Sequence, residues 1–223
     1  MCGRVNVSDN EGIRVLLEFL GMDTWPSRDP RFNIAPTQTL DVVQSHAEQL
    51  SLVPMSWGVS MSVPGKTGMV TKHIQNSRSD KVWDSRLWKP MIEQHRVLVP
   101  VNGFYEWKRE QRKLKAAYHI HSATGKAMLF AGICKHPKDD GNKPEVSVIT
   151  TAANEAMGEL HDRMPVILGS KNAAMAWLQE DDRASLDQLM SAPSNEALIF
   201  TQVSHYVNKS SNEGVNCIEP LLE

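Results

Sequence analysis

The chain has 223 residues, 41% hydrophobic and 22% charged, which excludes a disordered chain and allows one domain with a sizeable core. Its net charge of −2 excludes a globally basic nucleic-acid binder, so a nucleic-acid partner would have to meet a local basic face. No run of about 18 apolar residues marks a membrane span.

MCGRVNVSDN has no apolar stretch behind a basic start, so no secretory signal is expected and a cytoplasmic location is. Cys2, Cys134 and Cys217 are odd in number, far apart and without a C-x-x-C pair. Neither a disulfide framework nor a structural zinc site is expected. Nothing in the pattern calls for a metal or an organic cofactor.

In chain order, Ser8 and Glu11 have the form of a capping box. Ile13, Leu16, Leu17 and Leu20 recur at helical spacing, which predicts an amphipathic helix over 9–20, stopped by Gly21. RVLVPVNGFYEW, 96–107, alternates and is rich in valine and aromatics, as a strand would be. The charged stretch KREQRKLK then reads as a solvated turn, followed by strands at 116–122 and 128–134. That order predicts a β-meander. A polar loop at 136–145 precedes a strand at 146–151. Helical turns follow at 154–160, 173–179 and 184–190, and strands at 198–203 and 215–218. Strands outnumber helices without regular β-α alternation. The expected fold is α+β: a β-rich single domain over 1–223, of mixed and antiparallel coiled sheets with short peripheral helices.

Cys2 is small enough for Met1 to be removed by an aminopeptidase. The product carries a thiol and a free α-amine on adjacent carbons, and both supply some nucleophile near neutral pH. An aldehyde would form an imine with the amine, and the thiol would close a thiazolidine. The same thiol could serve acyl transfer, with its own amine as base. The plain alternative is a small residue behind the start codon. If Met1 is retained, the amine is blocked.

Glu106 ends an apolar strand, where half-burial suits a carboxylate to proton transfer; a strand-end glutamate facing water is the alternative. His161 sits in His161-Asp162-Arg163-Met164-Pro165, a turn stiffened by proline, where an imidazole carries protons or merely bonds a loop carbonyl. Asn76 and Arg78 lie two apart and share one side of a strand, an amide beside a guanidinium suited to phosphate, or else part of a polar turn. His119 and His121 share a strand face but lack a third ligand.

These stretches, with Met1-Cys2-Gly3-Arg4, Phe32-Asn33-Ile34-Ala35-Pro36-Thr37, Trp57-Gly58, Phe130-Ala131-Gly132 and Ile149-Thr150-Thr151-Ala152, occur in one order along nearly the whole chain. Together they resemble the SRAP (SOS response-associated peptidase) proteins, which shield abasic sites in single-stranded DNA. The resemblance implies Cys2 as the nucleophile that forms a thiazolidine with the opened sugar. It implies Asn76 as the residue holding that cysteine, Glu106 as the acid/base beside the amine and His161 as the proton donor. Arg78 and Arg163 become phosphate clamps, with Arg4 and Arg86 as further candidates, and Pro36 and Trp107 offer apolar surface to bases. It also implies autopeptidase and abasic-site lyase activity in the SOS response. The partner would be single-stranded DNA containing abasic sites, met by a monomer that associates with the nucleoid. Asp80 stands where the family pattern has glutamate, and 60–71 departs from the pattern. Two other readings use the same residues: a cysteine hydrolase acting on amides, and a non-catalytic reader of modified DNA through Arg78 and Arg163.

Overall fold

The computed structural model describes residues 2–22, 28–47, 49–108, 116–137 and 142–221. In order they form β1 (Val5–Val7), α1 (Asn10–Leu20), β2 (Arg31–Ile34), β3 (Thr39–His46), β4 (Gln49–Trp57), β5 (Val59–Gly65), β6 (Gly68–Ile74), β7 (Asn76–Arg78) and α2 (Lys89–Gln94). There follow β8 (Arg96–Val101), β9 (Gly103–Trp107), β10 (Ala117–Ser122), β11 (Met128–Lys135), β12 (Glu145–Ala152), α3 (Glu155–Gly158) and β13 (Arg163–Pro165). α4 (Lys171–Gln179), α5 (Arg183–Leu189) and β14 (Leu198–Val203) complete them.

β11, β8, β3, β4 and β12 pair in that order, and β12 pairs back onto β11, closing a small barrel. A second sheet, β14–β10–β9–β1–β2, packs against it, and β5–β6 forms a separate hairpin. Strands β8 and β11 are buried on both faces, which is why they read as nearly continuous apolar runs. Alternation sends Val97, Val99, Val101 and Phe130 to one cluster with Cys2, Val5 and Phe104. Leu98, Leu129, Ala131 and Ile133 go to another, under α1, α2 and α4, with Ile13, Leu17, Ile92 and Trp177.

The expected α+β, β-rich single domain with short helices is the fold observed. Helix α1 lies where helical spacing predicts it, and Gly21 closes it in the left-handed conformation, φ 93°. The capping box does not form. Asp9, not Ser8, is the N-cap, without a side-chain cap bond, and Asn102 Oδ1 accepts at 2.9 Å from the Ser8 amide that Glu11 would have met. The predicted meander is also corrected. β9 and β10 pair, but β11 pairs with β8 and β12 instead. The chain breaks at Asn102, leaving β8 in the barrel and β9 in the second sheet, so the long apolar run spans two layers. The strand expected at 215–218 is a 3-10 turn, Val215–Cys217. Most of the charged turn, 109–115, lies outside the described residues.

Candidate active site

Cys2 precedes β1 and is 1% exposed, its thiol within the cluster between barrel and second sheet. Burial pushes the thiol pKa far above its ordinary value, and the charge of Glu106 pushes it the same way. The two groups therefore share one electrostatic environment.

Strand register brings Glu106 there. Val5 lies opposite Phe104, and the Tyr105 amide donates to Arg4 O at 2.9 Å, so the residues entering β1 run alongside Glu106. Alternation along β9 points Tyr105 and Trp107 at a small cluster with Val203 and Val207, and turns Phe104 and Glu106 the other way, toward the Cys2 side. Glu106 is 6% exposed, a buried carboxylate.

Asn76 opens β7, which runs parallel to β12 with Asn76 beside Val148. The Trp57 indole donates to Gln75 O at 3.0 Å and fixes the chain just before it. From there Asn76 Nδ2 donates to Cys2 O at 2.6 Å. The amide thus clasps the backbone of the residue whose thiol and amine are at issue.

His161 is set by α3. Asn154 caps that helix by accepting from the Met157 amide at 2.9 Å, and anchors it by donating to Pro193 O. The His161 amide returns to Met157 O at 3.0 Å. Its neighbours Leu160 and Met164 belong to the Cys2 cluster. The Arg163 amide donates to His161 Nδ1 at 3.0 Å, and Asp162 Oδ1 lies 2.8 Å from the same nitrogen. A neutral ring accepts from Arg163 there, whereas a protonated ring donates to Asp162. The ring can change protonation state without losing a partner on this side.

Arg163 and Arg78 meet at Asp80. Arg163 Nη1 reaches Asp80 Oδ1 at 3.0 Å and its Nη2 bonds Thr150 O, while Arg78 grips both Asp80 oxygens at 3.1 and 2.7 Å. The Arg78 hydrogen bond, with help from Arg163, holds the Asp80 carboxyl down at about 2. The two guanidiniums are thus fixed as a pair, Arg78 exposed and Arg163 buried.

The remaining expected site residues differ in setting. Arg4 turns inward: its Nη1 donates to Asn33 Oδ1 at 2.6 Å and to Val207 O at 2.9 Å, and its guanidinium lies 5.6 Å from the Trp107 ring centroid. Trp107 itself donates to Asn208 Oδ1. Pro36 is half-buried in the turn after β2, beside Thr37, whose φ of 73° is strained for a β-branched residue. Arg86 is exposed and has no hydrogen-bond or ion-pair partner among the described residues. Sequence reasoning assigned no role to Asn33, which is fully buried and donates to the carbonyls of Val207, Lys209 and Asn212. Nor did it mark Asn154. An asparagine before a short apolar helix was the only signal available there. Among the described residues no cluster of three or more potential ligands could hold a metal ion.

Strand ends from both sheets thus gather a buried thiol, an amide clasp and a buried carboxylate around Cys2. A family model described as SOS response associated peptidase (SRAP) matches residues 1–210, and the chain belongs to that family. It is 27% identical over 230 residues to the abasic site processing protein YedK of Escherichia coli, covering 99% of this chain and 100% of YedK. It is 28% identical over 196 residues to the abasic site processing protein YoqW of Bacillus subtilis, covering 85% and 86%. A crystal structure of a Bacteroides thetaiotaomicron protein shares the fold with a TM-score of 0.78 at 19% identity, covering 99% of this chain and 100% of that one.

Proposed function

We propose that the chain, once Met1 is removed, processes abasic sites in single-stranded DNA by joining Cys2 to the lesion as a thiazolidine. The closed sugar opens when an acid protonates its ring oxygen, exposing the aldehyde. The α-amine attacks the aldehyde carbon and water leaves, giving an imine. The thiol then adds to the imine carbon and its proton passes to the nitrogen. His161 is the donor to the sugar, and Glu106 carries protons for the amine. Asn76 holds the Cys2 carbonyl, while Arg78 and Arg163 take phosphates beside the lesion. Exposed Arg86 is a further cation for the strand. Pro36 offers apolar surface near the bases. Arg4 and Trp107 serve from beneath, tying the N-terminal strand to the chain's last turns. β-Elimination from the imine is the route to lyase activity, and release of residues ahead of Cys2 the route to an autopeptidase step. A cytoplasmic monomer, on the nucleoid when bound to DNA, fits this chemistry.

The observation that carries this reading is the Asn76–Cys2 bond, which supports an N-terminus held in register with Glu106. Membership of the SRAP family, whose relatives include named abasic site processing proteins, supports the substrate. The test mixes Met1-free protein with an abasic oligonucleotide. A denaturation-resistant adduct should form, with the mass of protein plus oligonucleotide minus one water, and Cys2→Ala should abolish it. Absence of adduct with the wild type overturns the reading.

A further inference from the structure

Next to the paired arginines lies an open cavity of about 420 Å³, with Asp80, Trp83, Asp84, Thr151, Arg183 and Asp187 in its walls. We propose that it binds a nucleobase of the strand beside the lesion, and favours a base that carries an exocyclic amino group. The inference rests on the reading of single-stranded DNA as substrate.

Position comes first. Asp80 in the wall is bonded to both Arg78 and Arg163, and Thr151 follows the residue whose carbonyl Arg163 grips. A strand whose phosphates meet those guanidiniums passes the mouth of the cavity. The volume falls in the usual range for small-molecule sites, about 300–1,000 Å³.

The walls supply a platform. Trp83 Nε1 donates to Asp187 Oδ1 at 2.7 Å, and the Arg183 guanidinium lies 5.1 Å from the Trp83 ring centroid. Arg183 Nε in turn lies 3.5 Å from Asp187 Oδ2. Trp83 and Arg183 are therefore joined through one carboxylate, an indole beside a guanidinium, the groups on which bases stack.

Polarity selects the ligand. Asp80 and Asp187 are paired with arginines, which leaves Asp84 as the carboxylate of the wall whose charge disfavours a phosphate inside. Asp84 has no hydrogen-bond or ion-pair partner among the described residues, leaving its oxygens to accept from an N–H donor. Adenine, cytosine and guanine carry an amino group to donate. Thymine has no amino group, and its one base-edge donor, N3–H, is flanked on both sides by carbonyl oxygens, which a carboxylate repels.

The test uses nine-nucleotide strands with a central tetrahydrofuran, an abasic analogue that cannot open to an aldehyde, flanked by dA, dC or dT. The wild type should bind the dA- and dC-flanked strands about tenfold more tightly than the dT-flanked one. Trp83→Ala and Asp84→Asn should erase the difference. Asp84 is an exposed rim residue, so its variant reads out even if Trp83→Ala fails to fold. Equal affinities in the wild type, or a preference that survives Asp84→Asn, overturn the inference. Adduct formation with aldehyde-bearing strands of the same flanks is read separately. An adduct without any flank preference removes the base site alone. Flank-dependent binding without adduct removes the covalent chemistry and keeps the site.

Discussion

The side-chain amide of Asn76 reaches the backbone carbonyl of Cys2 across 2.6 Å, in a buried contact spanning 74 residues of sequence. It fixes where the start of the chain sits relative to β12. Asn76→Ala should slow adduct formation about a hundredfold, because a misplacement of about 1 Å costs that much at a reacting centre. It should also cost about 1–3 kcal/mol of stability, since the Cys2 carbonyl loses its donor. Quench-gel kinetics and denaturant midpoints measure the two effects. An unchanged rate would remove the proposed role.

Glu106→Gln should move two quantities in opposite directions. After burial, the carboxylate charge is the next cause of the raised Cys2 thiol pKa. Removing the charge should bring thiolate absorbance in at lower pH. Adduct formation should nonetheless fall about 10²–10⁴-fold, the usual worth of a positioned proton carrier.

Arg78 and Arg4 should separate cleanly. Arg78 is exposed and grips only Asp80, so Arg78→Ala should weaken strand binding and flatten its salt dependence with little change in stability. Arg4 holds Asn33, Val207 and the Trp107 face. Arg4→Ala should destabilise the fold by roughly 2–4 kcal/mol. Thermal melting alongside fluorescence anisotropy distinguishes them.

His119 gives stability a pH dependence. Burial, with the nearby His121, holds its pKa at about 3, below the ordinary 6.5, so the folded ring stays neutral and pairs with Asn6 Oδ1 at 3.0 Å. Between those two values the unfolded chain binds more protons. Stability should therefore fall as pH drops from 6.5 toward 3, by at most about 1.4 kcal/mol per pH unit. His119→Gln should flatten that slope. Asp80 contributes lower down: its depressed pKa adds stability that is present above the ordinary aspartate range and lost as pH falls through about 2. Unfolding midpoints across pH 2–7 in the wild type and in His119→Gln would show both limbs.

Gly103 makes room for that same ring. A Cβ there would stand 2.3 Å from His119 Nε2 and 2.8 Å from Ile120 O. Gly103→Ala should cost roughly 1–3 kcal/mol through overpacking and slow adduct formation by shifting β9, which carries Glu106. A stable, fully reactive variant would show that β9 tolerates the displacement.

How much of this could be read from residues alone varied with the range of the interactions. Helix α1 was legible because its periodicity is local, as were β12 and β14. The capping box failed because Asn102, 94 residues away, takes the Ser8 amide that the Glu11 side chain would have met. The meander failed because an unbroken apolar run does not say at which residue the chain changes layers, and Asn102 is that residue. Of the proposed chemistry, Cys2, Asn76, Glu106 and His161 could be named from local surroundings and family likeness, but the approach of Asn76 and Glu106 to Cys2 depends on register between distant strands. Arg4, which the family likeness offers to phosphate, is held by Asn33, Val207 O and the Trp107 face, partners that no local pattern announces. The Trp83 cavity joins a turn to a helix 100 residues later, and no local pattern announces it.

Strand β12 carries Asn76's strand along one edge and, along the other, the strand that leaves the His161 turn. A single extended segment is thereby the common ruler for two halves of the proposed chemistry. Amide exchange along 146–151 should accordingly be the slowest in the molecule, and any insertion there would spoil both halves in one stroke.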